Sequence, residues 1–139
     1  MKKPSFVVAA LTMIALNAPT YAMPQRPAKC PAVANIKFAG LSYATSGDEG
    51  YTVAQFNNYS TNDKWLFGFT SIQAKSSQEA LTIGRQLLGT LYGTPQPVAI
   101  TSENIWGCLY ETSQGYYGVA LTPISLSATI NQTMMAAIH

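Results

Sequence analysis

Apolar and polar positions divide this chain into an apolar opening run, several short alternating segments and one stretch with helical spacing. Lys2 and Lys3 precede Phe6 to Leu16, eleven uncharged and mostly apolar residues. As a helix that run would cover about 17 Å, roughly half a bilayer core, which is the length of a signal-peptide core rather than of a membrane span. Asn17, Ala18 and Pro19 break it. Thr20-Tyr21-Ala22 then places small residues at the −3 and −1 positions of a cut after Ala22. Residues 1–22 therefore read as a cleavable signal peptide of bacterial type. Residues 23–139 read as a single domain, with 29–121 as its core and 122–139 as a C-terminal tail.

Three prolines make residues 23–31 an extended lead-in. Ala32 to Tyr43 fits one strand, or a short helix followed by a strand, and the pattern does not decide between them. Ser46 to Gly50 is a turn, Tyr51 to Phe56 a strand, and Asn57 to Asp63 a polar turn. Lys64 to Ile72 is the clearest strand: period two puts Trp65, Phe67 and Phe69 on one face, a core pattern, with Leu66, Gly68 and Thr70 opposite. Ser76-Ser77-Gln78-Glu79 is a capping box. It opens a helix whose apolar positions are Ala80, Ile83, Leu87, Leu88 and Leu91. Gly84 and Gly89 lie inside it, which predicts close packing of helix on sheet. Gly93 and Pro95 end it.

Pro97 to Thr101 reads as a short edge strand. Asn104 to Thr112 and Tyr116 to Leu121 read as a strand pair around the tight turn Ser113-Gln114-Gly115. The tail suggests a loose strand and then a helix from about Ala128. Strands, one helix and more strands, with no repeated βαβ unit, predict an α+β domain: an antiparallel sheet of about five strands with one long helix packed on one face.

Charge changes the picture mainly by its absence. Beyond the signal, Arg26, Lys29, Lys37, Lys64, Lys75 and Arg85 are balanced by Asp48, Glu49, Asp63, Glu79, Glu103 and Glu111, so the net charge of 23–139 is zero. A neutral surface has no electrostatic footprint for nucleic acid and no polybasic patch for anionic lipid. No second long apolar run follows the signal. The expectation is an exported protein, periplasmic or secreted, with no nucleic-acid partner and no membrane association after cleavage.

Export delivers Cys30 and Cys108 to an oxidising compartment, and a Cys30–Cys108 disulfide is the simplest reading. Two buried free thiols, or one reactive thiol, are the alternatives. The cysteines and a single His make no zinc pattern. That His, His139, is the last residue, which disfavours a Ser-His-Asp or Cys-His centre. Glu79 has a capping role, and the turn acids Asp48 and Glu49 read as solvated. There is no Gly-rich phosphate loop and no nucleophile elbow. Asn58-Tyr59-Ser60 and Asn131-Gln132-Thr133 match a glycosylation sequon by chance. The chain reads as non-catalytic. The remaining candidates are aromatic: Tyr110, Tyr116 and Tyr117 flank one hairpin, either as ordinary cross-strand packing or as a surface for a planar ligand or a partner protein.

Cys30-Pro31-Ala32-Val33, Trp65-Leu66-Phe67-Gly68-Phe69, Glu79-Ala80-Leu81 and Trp106-Gly107-Cys108-Leu109-Tyr110 carry a resemblance over most of residues 30–118. The chain resembles a family of small exported proteins of intracellular gamma-proteobacteria, mostly of unknown function, that includes the Legionella haemin-binding protein. The resemblance implies an exported, non-catalytic binding protein, with haemin as the named ligand of some members. It transfers no ligand residue. Haem iron takes His, Met, Cys or Tyr; the terminal His139 is the one imidazole, the cysteines read as paired, and Tyr116, Tyr117, Met134 and Met135 are the other residues available for ligation, with loose apolar association without a ligand as the alternative. The competing reading is a secreted, virulence-associated factor acting by surface contact with another protein.

Overall fold

A computed structural model describes residues 22–124. Outside them lie residues 1–21 of the expected signal peptide, the expected strand and helix after Ile124, and Met134, Met135 and His139. In chain order the elements are helix α1 (Val33–Ala39), strands β1 (Tyr43–Gly47), β2 (Gly50–Asn57) and β3 (Trp65–Ile72), helix α2 (Ser77–Gly89), and strands β4 (Val98–Ile100), β5 (Ile105–Glu111) and β6 (Tyr117–Thr122). The strands form one antiparallel sheet in the order β1-β2-β3-β6-β5-β4.

This corrects the expected five strands and one long helix: among the described residues the sheet has six strands, and the helices are two short ones of 7 and 13 residues. The physical reasons are local. Over 32–43 the alternatives resolve into α1, a seven-residue helix with no side-chain cap and Ile36 as its buried residue. So short an element shows no helical period. β1 follows because the turn is narrower than the polar run suggests. Ser46 and Gly47 remain paired to Tyr51 and Gly50, leaving Asp48 and Glu49 as the whole turn. α2 starts at the capping box, where Ser76 Oγ accepts from Glu79 N at 3.1 Å and Glu79 Oε1 accepts from Lys75 N at 2.8 Å. It stops at Gly89, two residues before the last apolar position of its stripe.

Both helices lie over one face of the sheet. Trp65, Phe67 and Phe69 share it with Val53, Tyr110, Ala120 and the buried residues of α2. Phe67 meets Phe69 and Tyr110 edge-on at 5.4 and 5.8 Å, a favoured aromatic geometry. The positive φ of Ser71 shifts the β2–β3 register and returns Ile72 to this face. The second face is apolar as well: Ala54, Leu66, Ile105, Val119 and Leu121 cluster there, with Phe56, Ile100 and Ile124 packed against them.

The lead-in is fixed to the helix-bearing face at successive same-face positions of β5. Pro24 O accepts from Trp106 Nε1 at 2.9 Å, Cys30 is disulfide-bonded to Cys108, and Pro31 O accepts from Tyr110 Oη at 2.6 Å. The alternation Trp106, Cys108, Tyr110 thus carries three ties to one extended segment.

Candidate functional site

The expected tyrosine trio is not assembled. Tyr110 is fully buried under α2's side of the sheet, and its hydroxyl is engaged by Pro31. Burial raises its phenol, and that of Tyr59, well above the usual range. A buried, protonated and hydrogen-bonded phenol is a poor iron ligand. Tyr116 is half-buried in the hairpin turn. Tyr117 opposes Glu111 and is exposed on the second face. No surface is lined by all three.

A better site lies at the other end of β6, around the loop joining β2 to β3. Asn57 pairs with Trp65, so residues 58–64 form the loop. Tyr59 and Ser60 sit at φ 50° and 58°, the left-handed region that non-glycine residues seldom occupy, and such strain collects at functional loops. The surroundings hold it in place. Tyr59 is buried; its N–H donates to Asn57 Oδ1 at 2.8 Å, and its carbonyl accepts from Asn35 Nδ2 at 3.3 Å. The Thr61 hydroxyl donates to Asn58 O at 2.7 Å and accepts from the indole of fully buried Trp65 at 2.9 Å and from Asp63 N at 3.2 Å. Lys64 O accepts from Thr122 Oγ1 at 2.7 Å, tying the loop to β6.

These bonds use main chain and small hydroxyls. Among the described residues, the side chains of Asn58, Asn62, Asp63 and Lys64 make no hydrogen bond or ion pair. They line a hollow of 710 Å³ together with Asn57, Thr122 and an apolar set, Phe56, Pro123 and Ile124. That volume lies within the range of small-ligand sites, and so does the mixture of an apolar lining with a few polar groups. A second hollow, of 680 Å³, lies between Ser60–Asp63 and the lead-in residues Gln25–Lys29. A third, around Val98, Leu109 and Val119, is 130 Å³ and too small for such a ligand.

Chemically the first hollow suits a ligand with an apolar body and a polar edge. Its described lining does not fit iron ligation: among the described residues no Tyr, Met, His or free Cys lines it, and both described cysteines are in the disulfide. No group of three or more His, Cys, Asp or Glu among the described residues is placed to hold a metal ion. No described helix is long and apolar enough to cross a membrane. The sequence pattern places Phe56 at the end of a strand, Asn57 to Asp63 in a polar turn and Lys64 at the start of the next strand, and gives none of them a functional role. The missed signal was length: seven residues is long for a hairpin connection, and loops longer than their geometry needs commonly carry function.

A family model described as a domain of unknown function, DUF4949, matches residues 29–130. No curated protein and no solved structure matches the chain.

Proposed function

We propose that this chain, which belongs to the DUF4949 family, is an exported, non-catalytic protein that binds a small ligand with an apolar body. The supporting observation is the 710 Å³ hollow, with Phe56, Pro123 and Ile124 beside the unengaged polar side chains of Asn58, Asn62, Asp63 and Lys64. Export is supported by the Cys30–Cys108 disulfide, which belongs to oxidising compartments, and by the signal-like residues 1–22. Haemin, named by the family resemblance, is the first planar probe. With no iron ligand among the described residues that line the hollow, the reading rests on apolar contact and on the polar edge.

Titration of the purified protein with haemin and with its iron-free porphyrin tests this. Saturable binding of both at micromolar concentration, weakened by F56S, is the expected result. Saturable binding that needs iron and is abolished by Y116F or Y117F would move the site to the tyrosine hairpin. Absence of any saturable binding would sink the small-ligand reading for this class.

A second reading is protein contact through the other side of the sheet. Tyr43, Val98, Leu109 and Tyr117 are exposed, and their cross-strand partners Ala54, Gly107, Val119 and Glu111 place all four on the second face. A partner whose binding is lost in the V98D/L109D variant, while porphyrin binding persists, favours it.

A further inference from the structure

The two large hollows share one wall: Asn62 and Asp63 line both. The first is mainly apolar, and the second contains Arg26 and Lys29 of the lead-in. Lys64 lines the first. Three of the six cationic side chains of residues 23–139 therefore gather around this loop, against one of the six acids, Asp63. Elsewhere the chain has no net positive excess, so the local balance is not a general basic character. None of these four charged groups makes an ion pair or a side-chain hydrogen bond among the described residues.

Both walls are held. Residues 25–29 run between two ties, Pro24 on Trp106 and Cys30 on Cys108. The facing wall is the loop fixed through Thr61 and Trp65. Asn62 and Asp63 thus stand between a mainly apolar hollow and a polar hollow with excess positive charge, one on each side of the loop.

We propose that the ligand is an anionic amphiphile, whose apolar body occupies the hollow at Phe56 and Ile124 and whose carboxylate or phosphate head lies beside Arg26 and Lys29. This deepens the reading above and rests on it. Asp63 opposes the head electrostatically, because its charge lies on the shared wall. Its carboxylate has no structural partner, and its loop contacts are made through its main chain.

Calorimetric titration of the protein with dodecanoate, dodecyl phosphate, dodecanol and inorganic phosphate tests the proposal. At low salt the two anionic amphiphiles bind about tenfold more tightly than dodecanol, and the preference shrinks as salt screens it. The R26Q/K29Q variant loses that preference and keeps its affinity for dodecanol. D63N increases the preference a few-fold, again with dodecanol unchanged. Equal affinity for dodecanoate and dodecanol overturns the assignment of the anionic head but leaves the apolar-ligand reading standing. Inorganic phosphate binding as tightly as dodecyl phosphate overturns the amphiphile. Failure of all four probes while the porphyrin binds overturns the amphiphile alone, and failure of the porphyrin as well removes both readings. Among the described residues these three side chains hold nothing else in place, so unchanged melting temperatures separate lost binding from lost folding.

Discussion

Tyr110 is the residue at which surface chemistry and core packing diverge. Its ring is buried against Phe67, and its hydroxyl donates to Pro31 O across 79 positions of sequence. Y110F keeps the ring and leaves that carbonyl unpaired, so the loss is about 1–2 kcal/mol of stability, measured by urea unfolding. Alkali acts through the same group. A phenol raised in the folded protein holds its proton where the unfolded chain releases it. The stabilising contribution is therefore complete below pH about 10, the ordinary phenol value, and is lost as pH rises above it. Tyr59 and Tyr110 both act in this direction. Unfolding free energy falls above pH about 10, and the fall is smaller in Y110F, as denaturant titrations across that range will show.

At the scale of elements, the two glycines of α2 behave differently although both interrupt the same helical pattern. A Cβ on Gly84 would meet Val53 Cγ2 at 2.6 Å and Leu41 Cδ1 at 3.1 Å, so the helix approaches the sheet at a distance that only glycine allows. A Cβ on Gly89 would meet nothing within 4 Å. G84A is expected to destabilise by about 1–3 kcal/mol through overpacking. G89A is expected to stabilise by up to about 1 kcal/mol through helix propensity. Thermal melts of the two variants should move in opposite directions. The expectation of close packing at both sites holds for Gly84 alone, because Gly89 is on the exposed side of the last turn of α2 while Leu87, Leu88 and Leu91 around it face the core. The capping box, by contrast, was legible because its bonds are local: Ser76 and Glu79 need only each other's neighbourhood to start a helix.

For the whole molecule, the disulfide joins segments 78 positions apart. Closing a loop of that length removes up to about 4.5 kcal/mol of chain entropy from the unfolded state. C30S/C108S should show a comparable loss in denaturant unfolding. It should also weaken binding of anionic probes more than of dodecanol, since Lys29 adjoins one of the two ties that hold the lead-in against the loop.

Periods and spacings determine what depends on near neighbours: the face shared by Trp65, Phe67 and Phe69, the start of α2, the β5–β6 hairpin and a neutral balance of charge. The pairing of Cys30 with Cys108 followed from there being only two cysteines and an oxidising destination. Tertiary structure decided what depends on distance in space. It split residues 32–43 into α1 and β1, since seven residues carry no resolvable period and the packing of Ile36 selects the helix. It buried Tyr110 and exposed Tyr117, because residues close together on a hairpin can face opposite sides of a sheet. It also brought the lead-in, the 58–64 loop and the end of β6 around two adjoining hollows, through Trp106, Trp65 and Thr122. Those contacts join positions 82, 4 and 58 apart. A local pattern registers only the middle one.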